Sequence, residues 1–474
     1  MLRPGAWVAV PSRLRRLAAA PPWVLGGVAW LLAAAAVTAW WLVADPHGRG
    51  VERAAVIGAV GAVVVFIVVR VRHEGRFLVD PPLVLVVAFF AWHFPFWVVR
   101  ELGGAYWYRL QQYVEYQPQL NGPALLACLA GLLALAGGLQ LGVGAVRWRP
   151  LTPRPAARAA YALGAAGTLL VIVFFALRGR ALVGDYDAVF LGDDGARRLL
   201  NLGLVLVLGG MLPVLLYERD RRRIVAYLVL VLLPATGLAI VMGTRWVVFT
   251  AVALGLMTAS LRGMRWRLRW LVPAVLLLLV VSSVAREARS GNVHGLGGVP
   301  SALFPKGQTF FVGFPQEIST GSQAMKLELS SRRYDAPLWG ASLLTSVATI
   351  APSLPQLVGL EVRRPGIEMT RRYYPERFEK EGWTPGYSIA AELYRNFGPF
   401  GIPIGMAVLA YAFALLYKRA IERERRMLLF ACFAVLAFAV FGIRNDFATW
   451  VRYGVWGAAI FGALGWWLDR RVKP

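Results

Sequence analysis

Long apolar stretches alternate with short charged ones along most of the chain. The apolar stretches lack the two-residue alternation of a β-barrel, so they read as membrane helices. Twelve such runs are predicted, at 23–43, 54–69, 83–99, 121–146, 159–177, 199–217, 224–242, 246–261, 270–284, 401–417, 427–440 and 453–468. A helix needs about 20 apolar residues to cross a bilayer. The shorter runs therefore suggest tilted or partly interfacial helices. Between 285 and 400 the pattern turns polar, which divides the chain into membrane helices 1–284, a large loop 285–400 with short amphipathic helices, and membrane helices with a tail, 401–474. Within that loop PLWGASLLTSVATIAPSLPQLVGL (337–360) is apolar, but Pro337, Pro352 and Pro355 interrupt it. It is expected to rest on the bilayer or re-enter it rather than to cross.

Composition agrees with this reading. Of the 474 residues 58% are hydrophobic, more than a soluble core of this size could bury. A net charge of +25 would suggest nucleic acid in a soluble protein. Here basic loops that set membrane orientation account for it better. The first apolar run, preceded by Arg13, Arg15 and Arg16, is about twice as long as a signal-peptide core and is expected to remain as a helix. Cys128 and Cys432 both lie inside apolar runs and are expected to behave as small buried hydrophobes. His47, His73, His93 and His294 are scattered, with no metal-binding spacing, so neither a metal nor another cofactor is expected.

The arginines also give a direction. With the N-terminus inside, the cytoplasmic segments carry 27 Lys and Arg in 74 residues, against 11 in the 67 residues of the short outer loops. That bias places both termini in the cytoplasm and the 285–400 loop outside. Long loops cross largely regardless of charge, so the basic residues of 285–400 do not oppose this.

TPGYSIAAELYRNFGPFG (384–401) stands at the entrance to the tenth span. Thr384 suits an N-cap, Pro385 the first helical position and Gly398 the stop, followed by Pro399. The expectation is a separate helix of about 13 residues with Ser388, Glu392, Arg395 and Asn396 on one polar face along the outer rim. Ile389, Leu393 and Phe397 form the neighbouring apolar stripe. Other arginines sit at abrupt positions. Arg245 lies in the tight turn MGTRW, Arg286 and Arg289 in AREARSG, Arg371 and Arg372 in EMTRRYYPERF, and Arg444 beside Asp446 in GIRNDF. Single arginines at a membrane surface usually anchor it, but several at one rim make a candidate diphosphate site, because the guanidinium fork matches phosphate oxygens.

GYSIAAELYRNFGPFG resembles the G-x-S-x-x-x-E-x-Y-x-N-F-G-x-x-G signature of Wzy-type oligosaccharide repeat-unit polymerases, and MGTRWVVF resembles that family's G-[ST]-R entry to a span. The large late loop is similar too. The resemblance implies an all-α integral membrane protein of about 12 transmembrane helices with a glycosyltransferase body of the GT-C type. It implies an enzyme of the bacterial inner membrane that joins undecaprenyl-diphosphate-linked oligosaccharide units on the outer leaflet into O-antigen or exopolysaccharide, using membrane lipid as its medium. A flippase and a chain-length regulator would be its partners. Under this reading Glu392 is the base, and Arg245, Arg286, Arg289 and Arg395 clamp the diphosphate. Arg371, Arg372 and Arg444 support them, while Tyr387, Ser388, Tyr394 and Asn396 contact sugar. An O-antigen ligase would share the plan and differ in acceptor. A lipid-linked oligosaccharide flippase would instead line a central cavity with charge.

Overall fold

The computed structural model describes residues 21–44, 46–74, 79–103, 116–144, 158–178, 194–241, 246–262, 320–331, 336–351, 354–376, 379, 386–423 and 425–470. Its elements are helices throughout. Eight lie in the first half: α1 Pro22–Ala44, α2 Arg49–Glu74, α3 Pro81–His93, α4 Pro95–Glu101, α5 Asn121–Val143, α6 Arg158–Arg178, α7 Asp194–Tyr217, and α8, which runs Arg221–Tyr227, through a π-helical turn Leu228–Leu232, to Leu233–Val241. The second half holds α9 Trp246–Leu261, α10 Thr320–Ser331, α11 Ala341–Ala348, α12 Pro365–Tyr373, α13 Ile389–Phe397, α14 Gly401–Arg423, α15 Arg426–Gly442 and α16 Phe447–Arg470.

Seven helices are long and apolar enough to cross a membrane, or eight if the bent pair α3–α4 is one span. Eleven of the twelve expected runs coincide with described helices, while 270–284 lies outside the described residues. Three expectations need correction. The run 83–99 is two helices bent by 61° at Phe94, because Pro95 cannot donate the hydrogen bond that would continue α3. α14 extends six residues past the expected edge at 417, through Lys418 and Arg419 to Arg423. The last helix starts at Phe447, six residues before the expected edge, and is 24 residues long.

α5 is the axis of the bundle, with 89% of its apolar window buried. Glycines let its neighbours approach as backbone on backbone. A Cβ on Gly138 would stand 2.3 Å from the Ala407 carbonyl, and one on Gly142 2.8 Å from that of Tyr411, both on α14. Gly137 faces the Gly27 carbonyl of α1 in the same way. Gly167 of α6 and Gly203 of α7 oppose each other reciprocally. In lipid, where hydrophobic burial does not drive helices together, such close packing is a main source of association. The outward faces of α1 and α2 expose Leu25, Val28, Leu32, Ile57, Val60 and Val64, as a lipid-facing surface requires. Cys128 and Cys432 are fully buried free thiols, as expected.

The packing also sets which ends of the helices lie together. Gly131 of α5 meets Ile402 and Met406 of α14, and Gly142 meets Ala414, so α5 and α14 run parallel. The C-terminal ends of α1, α3 and α15 and the N-terminal ends of α2, α5, α14 and α16 consequently share one end, capped by α10 to α13. Around 337–360 the chain forms α11 and the single turn Leu354–Leu357 rather than a continuous span. Trp339, Leu344, Val347, Leu357 and Val358 are exposed there.

Replacing Gly138 or Gly203 by valine is expected to lower stability by roughly 1–3 kcal/mol, because the new atoms meet backbone that cannot give way. Gly237→Ala, where the added atom meets nothing within 4 Å, should leave stability unchanged. Thermal unfolding in detergent distinguishes the two classes, and equal melting temperatures for all three variants would refute this packing.

Candidate functional site

α13 is nine residues long, four fewer than the sequence suggests, because its start differs. Gly386 adopts φ +85°, a conformation open to glycine, and the chain then runs extended. Tyr387 N donates to the Arg444 carbonyl at 2.8 Å, and Ile389 N to that of Ile443 at 3.3 Å. Ser388 rather than Thr384 is the N-cap, its hydroxyl accepting from Ala390 N at 3.2 Å. Thr384 itself lies outside the described residues. The end agrees with expectation: Gly398 has φ +72° and its N–H closes on the Tyr394 carbonyl at 2.7 Å.

The polar face of α13 points inward, not along an exposed rim. Ser388, Glu392 and Asn396 are all completely buried. Ser342 Oγ of α11 donates to Glu392 Oε1 at 2.6 Å, and Phe447 N, the first N–H of α16, donates to Oε2 at 2.6 Å. Asn396 Nδ2 donates to Ser342 Oγ at 2.7 Å, and its Oδ1 accepts from Gly340 N at 3.0 Å. One carboxylate therefore ties three helices. The i+3 pairing of Glu392 with Arg395 available on an isolated helix is replaced by these contacts.

Asp446 stands beside this cluster. It caps α16 by accepting from Thr449 N at 3.1 Å and Thr449 Oγ1 at 2.5 Å, and its other oxygen accepts from Arg364 Nε at 2.8 Å. The two carboxyls are driven apart in acidity. Burial, then the neighbouring Asp446 charge, pushes Glu392 up to about 7, against its hydrogen bonds and Arg364. Asp446 is also buried, yet Arg364 and Thr449 hold it below the usual carboxylate range. Such a split leaves Glu392 able to change protonation near neutral pH while Asp446 keeps its charge.

The remaining proposed residues fall into three groups. Tyr387, Ser388 and Tyr394 are buried with protein partners. Tyr387 OH donates to Glu328 Oε1 at 2.8 Å, and Tyr394 lies 6.0 Å from the Trp41 ring. Arg371 and Arg372 are exposed on α12; Arg395 and Arg444 are half-buried. Arg444 Nε donates to Thr320 Oγ1 at 3.1 Å, with its guanidinium over the Trp92 ring. Arg245, Arg286 and Arg289, with His294, lie outside the described residues.

The cluster also contains residues not picked out from the sequence. His93 Nδ1 donates to the Phe89 carbonyl at 2.7 Å, which leaves Nε2 to accept from Ser388 Oγ at 2.8 Å. His93 therefore positions the cap of α13. Ser342, Ser346 and Thr349 recur at i, i+4 and i+7 on an otherwise apolar segment, and that polar stripe was a readable signal. Asp446 followed three residues later by Thr449, ahead of an apolar run, was a readable helix start. Arg364 offered no such pattern.

The sign of the Glu392 shift gives a test. A carboxyl raised above its unfolded value binds its proton more tightly when folded, so it adds stability below about pH 4.5, lost as pH rises to about 7. The full difference is on the order of 3 kcal/mol. Asp446 has the opposite sign: its contribution is present throughout this window and is lost only as pH falls below the usual carboxylate range. Glu392→Gln is expected to flatten the fall in melting temperature between pH 5 and pH 7.5; an identical slope in wild type and variant would show that Glu392 does not titrate there.

The chain matches no curated protein and no solved structure. Residues 369–472 match the family model of the O-antigen polysaccharide polymerase Wzy, a stretch that includes Glu392, Asn396, Asp446 and the last three helices. Over this last part the chain is similar to the O-antigen polysaccharide polymerase Wzy, in agreement with the resemblance read from GYSIAAELYRNFGPFG.

Proposed function

We propose that the protein joins undecaprenyl-diphosphate-linked oligosaccharide repeat units on the outer face of the bacterial cytoplasmic membrane, moving the growing chain onto the next unit without a metal or a nucleotide sugar. The observation that carries this reading is the coincidence of the family match with a buried Glu392–Asp446 pair at the polar end of a lipid-embedded bundle. The opposite end, with Arg219, Arg221, Arg222, Arg223, Arg262, Arg419 and Arg425, fits the cytoplasmic side under the positive-inside rule. The polar end, with the loop 285–400, is then external, where a flippase would deliver substrate and a chain-length regulator would act.

In this proposal Glu392 takes the proton from the acceptor hydroxyl, a step for which a carboxyl poised near 7 is suited. Glu392 is covered by α11 through Ser342, and the other face of α11 carries exposed Leu344 and Val347. α11 is accordingly assigned as a lid that rests on lipid and lifts to admit the acceptor. Arg395 and Arg444, with Arg371 and Arg372 nearby in the cap, would stabilise charge on the leaving diphosphate, as would Arg245, Arg286 and Arg289.

A strain lacking the protein is expected to carry single repeat units where its parent shows a ladder. Re-expressed Glu392→Gln should insert normally and lower elongation by roughly 10²–10⁴-fold, the range for loss of a general base. An unchanged ladder would reject the polymerase. Full-length polymer left on its lipid carrier would indicate a ligase, and units trapped inside would indicate a flippase.

A further inference from the structure

Two carboxyl groups share the first turn of α16. Asp446 caps the helix by accepting from Thr449 N, and Glu392 Oε2 accepts from Phe447 N, the residue next to Asp446. Both side chains are buried. A helix N-terminus favours a negative charge beside it. Two ionised carboxylates at one helix start, however, repel each other where water screens them poorly. One of the two must be the easier to neutralise, and the helix end alone does not decide which.

Arg364, immediately before α12, faces this turn. Its Nε donates to Asp446 Oδ2 at 2.8 Å and its Nη2 to Thr449 Oγ1 at 3.3 Å. Asp446 thus receives a cation, whereas Glu392 receives the neutral donors Ser342 Oγ and Phe447 N. An ion pair between exposed side chains contributes little. This pair differs, because the Arg364 side chain is 35% exposed and that of Asp446 only 5%. The backbone is also fixed around Arg364. It is extended, at φ −121° and ψ 90°, and its carbonyl accepts from Ile367 N at 2.9 Å and Glu368 N at 3.0 Å to open α12. Arg363 N donates to Thr345 Oγ1 of α11 at 3.3 Å, and a Cβ on Gly366 would stand 3.0 Å from that of Tyr387. The guanidinium is therefore preorganised towards the start of α16.

Several other charged and titratable groups surround α13. On α10, Glu328 accepts from Tyr387 OH, and Lys326 lies near the pair in which Arg100 Nη1 donates to Glu52 Oε2 at 2.5 Å. His93 of α3 accepts from Ser388, Arg444 donates to Thr320, and Arg452 Nε of α16 donates to the Thr349 carbonyl at 3.1 Å. Tyr387 feels the charges of Glu392 and Arg395, and Arg364 feels Tyr453. On α12, Arg371 and Arg372 are exposed. α5 and α11 carry no charged side chain, nor does α14 before Lys418. Of all these charges Asp446 and Arg364 act most strongly on Glu392, in opposite directions.

We propose that Arg364 is a positioning residue for Glu392, an inference that rests on the reading of Glu392 as the base. By placing its guanidinium on Asp446, Arg364 makes that carboxyl the one that carries charge and leaves Glu392 as the one that exchanges a proton. With Glu392 protonated the three groups are neutral together, since Asp446 and Arg364 cancel. With Glu392 ionised they hold one negative charge, which the N-terminus of α16 and Arg364 both stabilise. The proton affinity of Glu392 is then set by a residue that it does not touch.

Thermal unfolding of the full-length protein in nanodiscs between pH 5 and pH 9 tests this. Arg364→Met removes an attraction for ionised Glu392, while Thr449 still donates to Asp446 and keeps it charged. The fall in melting temperature with pH should then extend roughly one pH unit higher, a tenfold change in proton affinity. Asp446→Asn removes the repelling charge and should end the fall about as far below the wild-type value. Arg364→Lys retains the charge and should lie close to wild type. In a Glu392→Gln background neither Arg364→Met nor Asp446→Asn should displace the curve. Equal midpoints in wild type, Arg364→Met and Asp446→Asn would overturn the proposal, and so would displacements that persist without Glu392. If Arg364→Met does not fold, Arg364→Lys and Asp446→Asn carry the same test. Glycan elongation across the same pH range separates this proposal from the reading beneath it. An elongation profile that moves with the melting curve supports both, whereas displaced melting with an unmoved profile would keep this role of Arg364 and reject Glu392 as the base.

Discussion

The arrangement at the polar end depends on one carboxylate. Glu392 joins α11 through Ser342, belongs to α13, and accepts the first N–H of α16. A helix N-terminus carries unsatisfied donors and partial positive charge, so a carboxylate placed there meets both needs. Removing one partner from such a buried charged site costs several kcal/mol, because the other is left unpaired in a place water cannot reach. The same burial brings Glu392 close to neutrality in its acidity. The hydrogen-bonded position of Glu392 and its raised acidity thus have one cause, and an isosteric amide keeps the first while removing the second.

Around that point the protein separates two kinds of surface. The bundle is held by small residues that bring backbones together, as at Gly138 against Ala407 and Gly167 against Gly203. The cap is held by hydrogen bonds among Ser342, Asn396, Asp446, Arg364 and Thr449. A lipid-linked substrate requires both: an apolar flank for its tail and a polar end for its sugars and phosphates.

Periodicity and length made the membrane helices legible, because a bilayer imposes a fixed apolar length and little else competes with that signal. They did not reveal the bend at Phe94 as a break in a span, although Pro95 was its cause. The motif around Glu392 drew attention to a residue that proves to be buried and hydrogen-bonded between helices, and to the stop at Gly398. Its face was misjudged because helical spacing groups side chains without saying what covers them. Asn396, Glu392 and Ser388 look like an exposed polar stripe until Ser342, Phe447 and His93 arrive from helices 50 to 295 residues away in sequence. Long-range partners of that kind leave no local pattern, and Arg364 with Asp446 is another case, 82 residues apart.

α10 has a consequence for how the protein is assembled. It is buried almost throughout, yet it carries Ser322, Lys326, Glu328, Ser330 and Ser331 on its buried surface. A segment of that composition has no affinity for hydrocarbon and no apolar face to fold upon by itself. Its partners come from distant parts of the chain: Trp97 for Ser322, Tyr387 for Glu328, and the Glu52–Arg100 pair near Lys326. Synthesis of α13 must therefore be finished before α10 can settle. The polar cap is then a late product of biogenesis, and a truncated or misinserted chain would reach the membrane without a formed site.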